Sequence, residues 1–169
     1  MNIEEEIRKY QLSEEEGKKI ILDVQEDSEN QCYNIDCLKV RNLNQKKELH
    51  QKIIPGVTSI SQTKLPDFLS GNYIYVWDKK RVSTLLRQLF GSGIDFNLCD
   101  LQEEISKLMP VFRTKSVEDL YKLSSFTKYF PESSSYLSAI FNLYVTYVKK
   151  FIYQKNPIDF ADEKRDLQL

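Results

Sequence analysis

The residues best placed to do chemistry on a polymer stand in one string, Tyr75-Val76-Trp77-Asp78-Lys79-Lys80-Arg81, with Arg87 further on. Cations that can pair with phosphates here follow aromatic rings that can stack on bases, the two ingredients of a single-strand groove. Trp77, Lys79, Lys80 and Arg81 are therefore candidate nucleic-acid-binding residues. The same string also reads as a core aromatic strand leading into an ordinary exposed helix start. Nucleophilic chemistry has less to work with. The chain has one histidine, His50, and Ser133-Ser134-Ser135 has no histidine in a triad relation to it, so the serines read as a loop or helix cap. No GxxxxGK[ST] phosphate loop is present.

Composition bounds the rest. A chain of 169 residues that is 41% apolar suits one domain with a full core. Its 24 basic and 25 acidic residues give a net charge of -1, so no bulk attraction draws it to nucleic acid or anionic lipid. Cys32, Cys37 and Cys99 are odd in number and lack a CxxC pair, which predicts free thiols in a reducing cytoplasm rather than disulfides or a zinc knuckle. The acidic start, Met1-Asn2-Ile3-Glu4-Glu5-Glu6, is unlike a secretion signal. The most apolar stretch, Tyr136 to Tyr153, is interrupted by polar residues and predicts a buried helix, not a membrane span.

The elements that would position these residues follow from periodicity. Ile3, Ile7, Tyr10 and Leu12 fall at near-helical spacing, which predicts an amphipathic helix within residues 1–17 that docks on the domain edge or on a protein partner. The domain proper is expected over residues 18–153, with a polar peripheral tail over 154–169. Ile20 to Gln25 reads as a buried strand, Cys32 to Arg41 as a second, and Lys47 to Ile54 as a third stopped by Pro55-Gly56, together an antiparallel meander with Glu48 and His50 on one face of the third strand. Val57 to Lys64 reads as a loop. Tyr73 to Trp77 reads as a strand, Lys79 to Phe90 as a helix with Val82, Leu85, Leu86, Leu89 and Phe90 at its period, and Phe96 to Leu101 as a short strand. Ser116-Val117-Glu118-Asp119 has capping-box spacing, and Leu137, Ile140, Phe141, Tyr144, Val145, Val148 and Ile152 form one broad helical face.

Several strings keep an order and spacing that resemble a known family. These are Ile20 to Gln25, Leu38-Lys39-Val40-Arg41-Asn42, Ile53-Ile54-Pro55-Gly56, Tyr75 to Val82 with Leu85-Leu86, Asp100, Ser116 to Leu120, and Tyr136 to Asn142. Over roughly Lys18 to Ile152 they resemble the DnaQ-like (DEDD) 3′-5′ exonucleases. The resemblance implies an α/β ribonuclease H-like three-layer fold with a central mixed sheet, its first three strands antiparallel, flanked by helices.

Two-metal phosphodiester cleavage needs several carboxylates converging on cations about 3.5–4 Å apart, and a base for the attacking water. By the resemblance, the first-strand pair of carboxylates falls on Asp23 and Gln25, which alternation places on one face. The third carboxylate falls on Val82, or on Arg81 in a shifted register, and the final histidine and aspartate fall on Ser134, with Ser133 the alternative, and Ala139. Only Asp23 is retained, a metal position of weak affinity at most, and His50 on the third strand cannot supply the base. The resemblance thus implies a pseudoenzyme: an inactive or very weak exonuclease fold that binds single-stranded nucleic acid, a protein partner, or both, in the cytoplasm and without a membrane. No cofactor is expected; Mg or Mn enters only with residual nuclease activity. One alternative is a divergent metal-dependent exonuclease with a rearranged site of Asp23, Asp78 and Glu26 or Asp100. Another is a purely structural module of a larger assembly.

Overall fold

A computed structural model describes residues 5, 17–91, 96–126 and 133–152. Apart from residue 5, the expected N-terminal helix lies outside the described residues, as does the tail over 154–169.

The apolar run Lys19–Asp27 forms β1, and its first six residues are buried, as suits a central strand covered on both faces. β2 (Cys32–Arg41) and β3 (Asn44–Ile53) follow as hairpins, and β2 pairs antiparallel with each of its neighbours. β1 and β3 are not neighbours and share a direction. β4 (Tyr73–Val76) returns to the other side of β1 and runs parallel to it, and β5 (Leu98–Asp100) runs parallel to β4. The result is a five-stranded mixed open sheet in the order β3-β2-β1-β4-β5, flanked by helices.

The helices are α1 (Leu65–Leu69), α2 (Lys79–Phe90), α3 (Leu101–Leu108), α4 (Val117–Phe126) and α5 (Tyr136–Tyr147), the last continuing into a π-helical turn over Val148–Ile152. Alternation in the strands gives two cores. Ile20, Leu22, Val24, Ile35 and Val76 pack against Leu65 and Leu69 of α1 and Val82 and Leu86 of α2. Ile21, Leu38, Tyr75 and Trp77 pack on the other face with Leu101, Ile105, Leu120, Ile140 and Tyr144. Lys19, fully buried, ties α5 to this face: its ammonium donates to the Tyr144 hydroxyl at 2.8 Å and lies 5.0 and 4.9 Å from the centres of the Tyr75 and Tyr144 rings.

Two local differences from the expected elements have physical causes. β3 begins at Asn44, three residues before the expected Lys47, because Asn42 and Leu43 both take left-handed φ values, 52° and 63°, and close a two-residue turn. The Asn44 amide steadies that turn by donating to the Asn42 carbonyl at 2.9 Å. The expected loop, Val57 to Lys64, holds a 3-10 turn over Ile60–Gln62, and α1 follows it, its first turn carrying Pro66, preset for helical φ.

The serine string caps α5. The Ser138 backbone N–H donates to Ser135 Oγ at 3.1 Å and the Ser135 N–H donates to Ser138 Oγ at 2.9 Å. At α4 the Ser116 N–H donates to the Asp119 carboxylate at 2.9 Å, and this bond holds the Asp119 carboxyl below its ordinary range. Among the described residues no helix is long and apolar enough to cross a membrane. All three thiols are free; Cys32 and Cys37 are buried, and burial pushes the Cys37 thiol far above its ordinary value, leaving it protonated.

Candidate functional site

Parallel pairing sets the location. Leu22 lies across from Val76, and Val76 across from Asp100, so β4 and β5 end at one edge of the sheet beside Leu22, while β1 runs on past them to Asp27. Open α/β sheets place their ligands outside such carboxyl ends. Asp23, Asp78 and Asp100 all stand at this edge, three of the four carboxylates that the rearranged-site alternative draws on.

Each of the three is already engaged. Asp23, only 2% exposed, accepts from the Arg81 guanidinium at 2.9 Å through Oδ1 and from the Gln25 amide at 2.7 Å through Oδ2. The second terminal nitrogen of Arg81 donates to the Val24 carbonyl at 2.8 Å. Asp78, at φ 59°, caps α2 by accepting the Arg81 backbone N–H at 3.2 Å. An aspartate tolerates that left-handed backbone better than most residues, and its carboxylate offsets an unpaired helix N–H. Asp100 caps α3 through the Glu103 N–H at 3.1 Å. Glu26 is exposed.

The electrostatics centre on the buried pair. Burial pushes the Asp23 carboxyl above its ordinary value, while the Gln25 hydrogen bond and the Arg81 charge pull it back. Across the sheet, Asp23 faces Asp36 on β2 and Asp36 faces His50 on β3. Opposed like charges on one face repel, and here each carboxylate has its own nitrogen partner. Asp36 Oδ1 lies 2.5 Å from His50 Nδ1 in a largely exposed pair. His50 is therefore on the third strand, as alternation predicts, and is engaged with Asp36.

The positions that the exonuclease resemblance singles out separate into two groups. Asp23 and Gln25 share a face and touch, and Arg81 joins them. Val82, fully buried, packs into the core on the opposite face of the sheet, and Ala139, fully buried, packs into the core on the Trp77 face. Ser134 is exposed before α5, while buried Ser133 accepts from the Asn142 amide at 3.1 Å. This donor set does not fit a pair of divalent cations, since one carboxylate, one carboxamide and two aliphatic side chains offer little negative charge, and a guanidinium already contacts the carboxylate. Among the described residues no group of three or more histidine, cysteine, aspartate or glutamate side chains is arranged to hold a metal ion.

The candidate nucleic-acid residues also divide. Lys79 and Lys80 are exposed at the start of α2. Trp77 is fully buried, its indole N–H donating to the Lys115 carbonyl at 2.8 Å and its ring edge-on to Phe112, so no face is open to a base. It is the core aromatic that the alternative reading of its string describes. Arg81 is turned inward to Asp23 and Val24 rather than outward to phosphate. Sequence reasoning missed three partnerships: Asp23 with Arg81, Lys19 with Tyr144, and Asp36 with His50. Only Asp78 left a local signal, an aspartate just ahead of a helical period.

The chain matches no described protein family, no curated protein and no solved structure.

Proposed function

We propose that this chain is a ribonuclease H-like module of the DnaQ-like exonuclease type that keeps the scaffold without the cleavage chemistry and works by binding a nucleic-acid strand, a protein partner, or both. The observation that carries the reading is the 2.9 Å ion pair between Asp23 and Arg81. The one retained carboxylate of the exonuclease set is neutralised from within. A five-stranded mixed sheet that opens with two antiparallel hairpins and carries Asp23 on its first, central strand supports the same reading.

The purified full chain, incubated with single-stranded DNA or RNA and Mg or Mn, is expected to leave the substrate intact, and Asp23→Ala to behave identically. Manganese-dependent cleavage that disappears in Asp23→Ala would overturn the reading in favour of a working nuclease.

The nucleic-acid arm rests on Lys79 and Lys80, whose charges reinforce the positive end of α2 without an acidic residue in its first turn. Binding to a single-stranded oligonucleotide should fall steeply with salt. The Lys79→Ala/Lys80→Ala pair should flatten the slope of log K against log salt by about 1.4, the share of two phosphate contacts. An unchanged slope removes these lysines from the interface. No binding even at low salt leaves a protein-interaction module.

A further inference from the structure

We propose that Arg81 is a built-in cation that excludes divalent metal from the carboxyl edge of the sheet, because its guanidinium gathers the oxygens that a bound metal ion would need. The proposal rests on the exonuclease-scaffold reading above, and concerns what now fills that scaffold's metal position.

A divalent cation such as magnesium or manganese is held by hard oxygens drawn from carboxylates, backbone carbonyls and carboxamides. Arg81 collects two of these from different residues on a single cationic group, Asp23 Oδ1 at 2.9 Å and the Val24 carbonyl at 2.8 Å. Gln25 supplies a third polar group at the same carboxylate, its amide nitrogen 2.7 Å from Asp23 Oδ2. Rotating that carboxamide would turn its oxygen inward. The guanidinium satisfies the Asp23 and Val24 oxygens at hydrogen-bond distances and stays charged at every working pH, so base does not release it. Arg81 keeps about a third of its side chain exposed, at 33%, while Asp23 keeps 2%, so the cation sits where solvent reaches the pair. Its backbone is fixed by the Asp78 cap, which aims the side chain back across the edge of β1. A carboxylate and a carbonyl held on one positive charge, with a carboxamide bonded to the same carboxylate, make a cation site whose cation is part of the chain.

The test uses the full chain and Mn²⁺ itself as probe, followed by its electron paramagnetic resonance signal and by thermal unfolding. Wild type is expected to show no saturable binding up to about millimolar Mn²⁺, the weak end of oxygen sites. Arg81→Gln and Arg81→Ala are each expected to bind one Mn²⁺ at least about tenfold tighter than wild type, with an unfolding midpoint that rises with the ion. Arg81→Lys, which keeps a cation, should resemble wild type, and adding Asp23→Asn to Arg81→Gln should erase the gain. A folded Arg81→Gln that binds no tighter than wild type overturns the proposal, as does a gain that survives Asp23→Asn. Should the substitutions unfold the chain, wild type decides alone: added Mn²⁺ should broaden the amide resonances of Asp23, Val24 and Gln25 no more than that of Glu118, which is exposed. Preferential broadening at the three would overturn it. Cleavage by wild type bears on the function reading and is scored separately from this binding result.

Discussion

Arg81→Ala is expected to destabilise the chain by about 3–5 kcal/mol at neutral pH, the cost of stranding a buried charge without its partner. Asp23→Asn is expected to cost far less. The asymmetry follows from burial: Arg81 is a third exposed and can turn its charge to water, whereas Asp23 is 2% exposed and cannot. An asparagine also still accepts from Arg81, so the contact to β1 survives. The pH dependence separates this account from simple loss of packing. Burial already holds the Asp23 carboxyl above its ordinary 3.8, and removing the guanidinium removes a downward pull and raises it further. A carboxyl that protonates more readily folded than unfolded gives stability that is fully present below its unfolded pKa and is lost as pH rises through its folded one. The deficit of Arg81→Ala relative to wild type should therefore be largest at neutral pH and shrink as pH falls through the acid range. Urea unfolding of both proteins at pH 7 and near pH 4 measures it. A deficit that is equal at the two pH values, or an Asp23→Asn cost matching that of Arg81→Ala, would show that Asp23 is not a charge held by Arg81.

What the sequence yields and what it withholds divide along the range of the interactions. The bounds of β2 and the place of His50 on β3 follow from alternation alone, and so does the shared face of Asp23 and Gln25, because period two is a local property. The Ser135 and Ser116 caps are legible for the same reason, being written within four residues. The pairing of Asp23 with Arg81 spans 58 residues and depends on β4 returning parallel to β1, which no local string encodes. The same holds for Lys19 beneath Tyr144, 125 residues away. A lysine opening an apolar strand reads locally as solvated and becomes a core residue only once α5 lies over it. The turn itself is legible in the polar string Asn42-Leu43-Asn44-Gln45, but its two-residue form is not. A leucine at φ 63° contradicts its own preference, and only the hairpin pairing on either side sets it there. A cation next to an aromatic residue in sequence says nothing about whether the two share a surface, so the string from Trp77 to Arg81 distributed its members between core, buried pair and solvent.

Trp77→Ala is expected to destabilise the chain by about 3–5 kcal/mol, the range for deleting a large buried aromatic. The ring is fully buried at the end of β4, lies 6.4 Å from Phe112 at an interplanar angle of 86°, and anchors the turn after α3 through its bond to the Lys115 carbonyl. Trp77→Phe should cost much less. It keeps most of the apolar contact, and the Lys115 carbonyl retains the Gln102 amide as a donor at 2.9 Å, so the lost indole bond removes only about 0.5–1.5 kcal/mol. Because Trp77 is the single tryptophan, its fluorescence reports this site alone. Emission should resemble that of a solvent-excluded indole and stay unquenched as single-stranded DNA or RNA is added, even under low-salt conditions that favour phosphate contacts. Quenching by the oligonucleotide, or a Trp77→Ala cost below about 1 kcal/mol, would return the ring to the surface and to base stacking. With Trp77 in the core and Arg81 facing inward, the proposed nucleic-acid binding would have to come from phosphate attraction through Lys79 and Lys80, which predicts binding that ignores base identity.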